Sequence, residues 1–262
     1  MQPFRRNLWQ LLMHALRQLR AKPRLGDIFA EGAEGPRRRF HRHVIDEPQL
    51  ATVQVGELHF PVLNIGYGGL RLTFGDDHSF LSLVEEGQML DFTLCIMGFF
   101  YDMRGRLIAI EGGAASFNFE DLTNIDEAFL GSFLFFMDAG IGLKSLSKNV
   151  VSTHYRGPGW LSYGGLSGSI EVHLRLDDAG SVDETHVFYL HGFQQDFAVF
   201  SKKGVAVASK PVREMTSKEK RQILMRTISI LVGLRQVGRT KRLDIIIESG
   251  IQRLRRPVKG AA

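Results

Sequence analysis

The residues best suited to chemistry are an arginine-rich run and a glycine-rich stretch that follows it. The run Arg37-Arg38-Arg39-Phe40-His41-Arg42-His43 carries four guanidinium groups, and Asn64-Ile65-Gly66-Tyr67-Gly68-Gly69 begins 22 residues after Arg42. A guanidinium pairs bidentately with a phosphate or with the O6/N7 edge of guanine, and its flat face stacks on a base. A glycine-rich turn lets a ligand approach the backbone. Together the two segments indicate a site for a phosphate-bearing ligand.

Both segments also have a purely structural explanation. An arginine run in a connector is often only a solvated charged segment. Gly66, Gly68 and Gly69 fit a hairpin turn in which glycine supplies positive φ. His41 and His43 flank Arg42 where a strand begins, and we interpret them as surface residues rather than metal ligands. What favours a binding site is the order and joint spacing of the two segments.

Short strands must position both segments. Alternating or continuous apolar runs predict strands at 51–55, 59–63, 69–74, 89–97 and 107–111. After a predicted helix at 125–147 and a glycine-rich loop at 157–168, further strands are predicted at 169–176, 186–191, 197–201 and 205–208. Several short strands joined by turns are typical of an antiparallel barrel or sandwich.

Helices flank the two β regions. Apolar residues at helical spacing predict an amphipathic basic helix at 3–22, followed by a connector rich in Gly and Glu at 31–36. Near the other end, Thr216 and Glu219 have the spacing of a capping box at the start of a helix whose apolar face runs from Ile223 to Leu234. A second C-terminal helix is predicted at 243–254. We therefore divide the chain into a basic helix with a linker (1–35), a barrel with a connecting helix (36–148) and a β-rich module with a C-terminal helical pair (149–262).

Charge is segregated along the chain. Residues 1–43 hold 10 Lys/Arg and 3 Asp/Glu, whereas residues 44–209 hold 9 Lys/Arg and 21 Asp/Glu. Residues 210–262 are basic again, with 14 Lys/Arg and 4 Asp/Glu. Two basic ends thus flank an acidic body, which favours contacts between ends and body, or an anionic partner at the ends, over a DNA-binding core. The N-terminal helix accordingly has three interpretations: it packs on the body, docks a partner or a second copy, or makes a peripheral contact with an anionic membrane.

Other functional classes lack their motifs. Gly165-Leu166-Ser167-Gly168-Ser169 ends in Ser where a nucleophile elbow requires Gly, and 157–168 lacks the Gly-Lys-Ser/Thr ending of a P-loop. The sequence contains no His-Glu-x-x-His motif and no pair of cysteines, so it gives no support for a zinc site. We therefore predict that the protein is not an enzyme and has no catalytic residue, metal or cofactor. Cys95 is the single cysteine, and the sequence shows neither a signal peptide nor an apolar run of about 20 residues, so we expect a cytoplasmic protein.

The two segments resemble the motifs of the PilZ family, in which Arg-x-x-x-Arg is followed by Asp/Asn-x-Ser-x-x-Gly. Only one register fits: Arg38 and Arg42, then Asn64 and Gly69, with Gly66 in the place of the family's serine. The resemblance covers residues 36–120 and implies a barrel that binds cyclic di-GMP, a bacterial second messenger. It implies that Arg38 and Arg42 contact the phosphates and guanines, and that Asn64 hydrogen-bonds a guanine.

The expected fold class is mainly β with flanking helices: a PilZ-like six-stranded antiparallel β-barrel, a second β-rich module and C-terminal helices. The expected function is a cyclic di-GMP-binding signalling effector. On ligand binding its arm and helix change conformation to control a protein partner in motility, exopolysaccharide production or adhesion. The expected ligand-binding residues are Arg38, Arg42, Asn64, Gly66 and Gly69, with Arg37 and Arg39 as auxiliary contacts.

Gly66 leaves an alternative open. Loss of a hydroxyl that bonds a ligand costs about 0.5–1.5 kcal/mol, or up to about 3 kcal/mol where the partner is charged. The alternative is therefore a degenerate PilZ-like adaptor that mediates protein–protein interaction without a nucleotide. Nucleic-acid binding through the basic ends ranks last, because no basic platform interleaved with aromatic residues is visible.

Overall fold

The first β region folds into a closed sheet. The structure is a computed structural model and describes residues 42–75, 80, 84–165, 168–191, 194–237 and 243–255. Its first strands are β1 (His43–Val44), β2 (Ala51–Val55), β3 (Leu58–Gly66), β4 (Gly69–Thr73), β5 (Met89–Ile96), β6 (Phe99–Glu111) and β7 (Ala114–Glu120). Their order is β1-β3-β2-β5-β6-β7-β4, and β4 pairs back with β3. Strands β2 to β7 therefore close a six-stranded antiparallel barrel, and β1 is added beside β3.

The alternation of side chains along each strand fills the barrel. In β2, the sequence Ala-Thr-Val-Gln-Val alternates buried and half-buried residues, because successive side chains of a strand point to opposite faces. Leu72, Leu94, Leu107 and Phe117, from β4, β5, β6 and β7, are almost completely buried inside. The interior is thus packed with side chains, and a ligand must bind on the outside or at an end.

The second β region forms an antiparallel meander. Its strands are β8 (Lys144–Ser145), β9 (Trp160–Gly164), β10 (Ile170–Leu176), β11 (Val182–His191), β12 (Gln194–Ser201) and β13 (Gly204–Lys210). Each strand pairs with its neighbours in sequence. Val172, Leu174, Val187 and Tyr189 are buried on one face. The described residues form one compact unit, and a single apolar core extends through both sheets and the helices.

Three helices complete the described part of the chain: α1 (Asn124–Ile141), α2 (Ser217–Gln236) and α3 (Asp244–Arg255). Helices α1 and α2 approach at two glycines. A Cβ built on Gly140 would lie 2.1 Å from the carbonyl oxygen of Ile230, and one on Gly233 would lie 2.0 Å from that of Met137. Helix α2 also contacts the start of the barrel, since Arg235 Nη2 donates to Glu47 Oε2 at 2.6 Å. The helices therefore link the barrel to the second sheet.

The predicted fold class is confirmed, whereas two local predictions are wrong and one strand is longer than predicted. The helix predicted to reach residue 147 ends at Ile141, where the chain passes through Gly142 into β8. The predicted loop at 157–168 contains β9, and the predicted strand at 107–111 is only the second half of β6. In the first half of β6, outward charged residues alternate with inward ones, which obscures its apolar pattern. The predicted helix at 3–22 lies outside the described residues, and the three-part division of the chain remains a prediction.

The three α-helices within the described ranges are 18, 20 and 12 residues long. None of these helices is long and apolar enough to span a bilayer.

The predicted capping box at the start of α2 is confirmed. Thr216 Oγ1 accepts a hydrogen bond from the Glu219 amide at 3.2 Å, and Glu219 Oε2 accepts one from the Thr216 amide at 2.8 Å. Arg213 Nη2 lies 2.7 Å from Glu219 Oε1. The hydrogen bonds from Arg213 and Thr216 lower the pKa of Glu219 from 4.5 to about 2.

This carboxylate makes a pH-dependent contribution to stability. Because its pKa is lower in the folded than in the unfolded chain, the stabilisation is present above the unfolded pKa of 4.5 and is lost as the pH falls towards 2. We expect Glu219→Gln to lower the Tm at neutral pH, and the Tm difference from the unmodified protein to shrink below pH 4.5. Thermal unfolding followed by circular dichroism at several pH values measures this difference. A difference that does not change with pH would contradict the assignment.

Candidate functional site

Strand β1 brings the arginine run alongside the strand that leads into the glycine turn. His43 pairs with Ile65 and Val44 pairs with Asn64. Since side chains alternate along a strand, Arg42, immediately before β1, lies on the same face as Val44 and Asn64. Arg42 Nη1 donates to Asn64 Oδ1 at 3.4 Å, a long contact for a hydrogen bond. The structure thus brings together one residue from each of the two predicted motifs.

The remaining arginines of the run are not placed. Arg37, Arg38 and Arg39 lie outside the described residues, so their assignment to the site remains a prediction. Arg42 and Asn64 are both partly buried at their contact. Ligand binding by these residues, and by Gly66 and Gly69, is likewise still a prediction.

The glycine stretch forms a tight hairpin. Gly66 ends β3 and pairs with Gly69, which begins β4, so that Tyr67 and Gly68 form a two-residue turn. The hairpin is as expected, but none of residues 66–69 has the positive φ expected for it. Gly69 is needed for another reason: a Cβ built on it would lie 2.0 Å from the Phe117 carbonyl oxygen of β7. The paired glycines therefore present backbone, rather than side chains, beside Asn64.

The strand register also places a cation that the sequence reasoning missed. Arg71 of β4 is the cross-strand partner of Asn64, and Ser116 of β7 is the partner of Arg71. Arg71 Nη2 donates to the Glu111 carbonyl oxygen at 3.4 Å, and its buried Nε has no hydrogen-bond partner. Directly opposed side chains have Cβ atoms about 5 Å apart. The Cβ of Arg71 thus lies opposite Asn64, while its guanidinium reaches the other way, towards the Glu111 carbonyl at the end of β6. In a two-residue hairpin that pairs Gly66 with Gly69, residues 64 and 71 must face each other, so the sequence contained this signal.

The interpretation of His43 as a surface residue is wrong. Its side chain is only 1% exposed, and Nε2 lies 3.3 Å from Asp138 Oδ1 of α1. The reason is the alternation in β1, which turns His43 inward when Arg42 points outward. His41 lies outside the described residues. Among the residues the structure describes, no group of three or more His, Cys, Asp or Glu side chains could hold a metal ion.

A cleft of about 480 Å³ opens elsewhere on the barrel and does not suit an anionic ligand. Asp91, Asp102 and Asp121 line it, with Arg104 as the cation. Arg104 Nε already lies 2.7 Å from Asp91 Oδ1. A ligand with two phosphates would meet three carboxylates and a single, already paired guanidinium there, so the cleft is a poor alternative to the Arg42–Asn64 surface.

The second sheet holds a serine–histidine–acid chain that the sequence reasoning did not single out. Ser162 Oγ lies 2.8 Å from His173 Nδ1, and His173 Nε2 lies 3.2 Å from Glu171 Oε2. The Tyr155 ring stacks flat on the imidazole at 3.7 Å, and burial lowers the pKa of His173. Ser162 and His173 are both buried. Because Ser162 and His173 are buried and the Tyr155 ring stacks on the imidazole, we assign this cluster to packing of the sheet.

Comparisons with known proteins find similarity to solved structures, including the two that follow. No protein-family model matches the sequence, and no curated protein matches it. An uncharacterized Legionella protein is 11% identical over 37% of this chain and 94% of its own, with a TM-score of 0.29. The PlzA protein of Borreliella burgdorferi, in a crystal structure with c-di-GMP, is 10% identical over 68% of this chain and 86% of its own, with a TM-score of 0.26. Both scores are low, so function is inferred from the residues of the site.

Proposed function

We propose that this chain binds cyclic di-GMP on the outer surface of its barrel and acts as a signalling effector. One observation carries the proposal: Arg42 Nη1 lies 3.4 Å from Asn64 Oδ1. The two residues are 22 positions apart in the sequence, and each belongs to one of the two PilZ-like motifs. A motif resemblance does not require this proximity in space. The β1–β3 pairing produces it, and the paired glycines lie next to it.

The chemistry of this surface suits an anionic guanine nucleotide. The Arg42 guanidinium can pair with a phosphate or with the O6/N7 edge of guanine, and the Asn64 amide offers both a donor and an acceptor. Arg71 of β4, opposite Asn64, can supply a second guanidinium once its long contact with the Glu111 carbonyl oxygen is released. Hydrogen bonds to charged groups contribute about 1.5–3 kcal/mol each, so a few such contacts account for micromolar binding.

The effector role follows from where the arginines lie in the chain. In our proposal the ligand, held at Arg42, recruits Arg38, draws the connector that precedes Arg42 onto the barrel and repositions the predicted helix at 3–22. A protein partner in motility, exopolysaccharide production or adhesion would respond to this change. The proposal includes no catalytic step.

The adaptor alternative is favoured by Gly66, which removes the hydroxyl of the resembled motif. Restoring it separates the two functions. We expect Gly66→Ser to bind cyclic di-GMP several-fold more tightly, because one added hydrogen bond contributes about 0.5–1.5 kcal/mol. Calorimetric titration and ligand-induced thermal stabilisation measure the change.

The matched control for this substitution is Gly157→Ser. A Cβ at Gly157 has its nearest atom at 3.7 Å, an ordinary contact, and the residue lies in the loop before β9. This variant should bind cyclic di-GMP like the unmodified protein. An adaptor predicts no response to the ligand from either variant or from the unmodified protein.

A further inference from the structure

Both segments of the proposed ligand site contact the same helix, α1. The first is β1, where His43, the neighbour of Arg42, turns inward. Its Nε2 lies 3.3 Å from Asp138 Oδ1, and the histidine side chain is 1% exposed against 51% for the aspartate. The position of Arg42 is therefore tied to α1 through the adjacent residue.

The second segment is the glycine turn. A Cβ built on Gly131 of α1 would lie 3.8 Å from Tyr67 Cε1, so the Tyr67 ring lies against this helix. Gly131 and Asp138 are seven residues apart, which is about two helical turns and places them on one face. Burial raises the pKa of Tyr67, and the negative charge of Asp138 raises it further. Asp138 thus faces the turn as well as β1.

Helix α1 is a fixed support. Two residues after Asp138, Gly140 packs so closely on α2 that an added Cβ would lie 2.1 Å from the Ile230 carbonyl oxygen. Buried interfaces of this density do not deform gradually. Asp138 therefore projects from a helix that is held from its other side.

We infer that Asp138 is a positioning residue for the ligand site: by contacting His43 and facing Tyr67, it holds β1 against the glycine turn so that Arg42 stays beside Asn64. This inference rests on the proposed function, since it concerns the same site. Asp138 does not touch the ligand. It acts through Arg42, whose guanidinium would lose its position if β1 moved away from the turn.

The test is Asp138→Asn in the full chain, which keeps the side-chain shape and removes the charge. We expect affinity for cyclic di-GMP to fall about fivefold, the range expected for one weakened polar contact. Asp138→Glu should restore much of it. The control is Asp91→Asn on β5, an exposed carboxylate paired with Arg104, which should leave the affinity unchanged.

Two further measurements distinguish positioning from a merely structural role. In an Arg42→Ala background, Asp138→Asn should cause little further loss, because interacting residues are not additive. Asp138→Asn should also lower the pKa of Tyr67, since removing a nearby negative charge makes the phenol easier to ionise. Ultraviolet difference titration against Tyr67→Phe measures this.

The outcomes separate the inference from the proposed function. If the unmodified protein does not bind cyclic di-GMP, both are overturned. If it binds and Asp138→Asn binds equally well, or loses the same factor in the Arg42→Ala background, the positioning role is overturned and the proposed function stands.

Discussion

Replacing Arg42 with alanine is expected to weaken the binding of cyclic di-GMP by roughly 100-fold. The reason is that the guanidinium offers several charge-assisted hydrogen bonds from a fixed planar fork, and its contact with Asn64 places that fork at the predicted site. Arg42→Lys keeps the charge but loses the fork, so its affinity should be intermediate. Calorimetric titration of the three proteins gives the comparison.

A matched control is available on the same barrel. Arg104 is a half-exposed arginine of β6, paired with Asp91, and it lines the acidic cleft rather than the proposed site. Arg104→Ala should therefore leave the affinity unchanged. If Arg42→Ala binds cyclic di-GMP as tightly as the unmodified protein does, the ligand binds at another site.

Two alanine substitutions in α1 are expected to change stability in opposite directions. Gly140→Ala should destabilise the protein by about 3 kcal/mol, because its Cβ would lie 2.1 Å from a backbone oxygen of α2 and one helix must move. Gly131→Ala should stabilise it by about 0.5–1 kcal/mol, because alanine is the better helix former. At that position the nearest atom, Tyr67 Cε1, lies at an ordinary 3.8 Å.

Urea unfolding followed by circular dichroism measures both changes. The midpoint should fall for Gly140→Ala and rise for Gly131→Ala. Because both substitutions add the same methyl group to the same helix, the difference between them isolates the contact between α1 and α2. A Gly140→Ala midpoint at or above that of the unmodified protein would rule out the close approach of the two helices.

The strands that the sequence predicts well have one face inside the core and one outside. Strand β2 alternates regularly and is predicted at its observed bounds, Ala51–Val55. Strands β7 and β9 are not predicted. In β7, the alternation is confined to Phe117, Asn118 and Phe119, and the stretch before it consists of small residues, of which Ala114 and Ala115 are both buried. In β9, glycines on either side suggest a loop, although the pairing with β10 makes it a strand.

The candidate site was predictable where a motif spacing or a hairpin register determines it. The proximity of Arg42 and Asn64 is consistent with the motif spacing, and the position of Arg71 follows from the hairpin register. The burial of His43 was not predictable, since it depends on the position of α1, more than 80 residues later. The need for glycine at Gly69 comes from the close approach of β7.

Titration of the purified full chain with cyclic di-GMP in a calorimeter tests the central claim most directly, with cyclic di-AMP as the comparison ligand. We predict saturable binding of cyclic di-GMP with a micromolar or lower Kd, at least about tenfold weaker binding of cyclic di-AMP, and loss of binding in Arg38→Ala/Arg42→Ala. The absence of both heat and thermal stabilisation at millimolar cyclic di-GMP would contradict the claim.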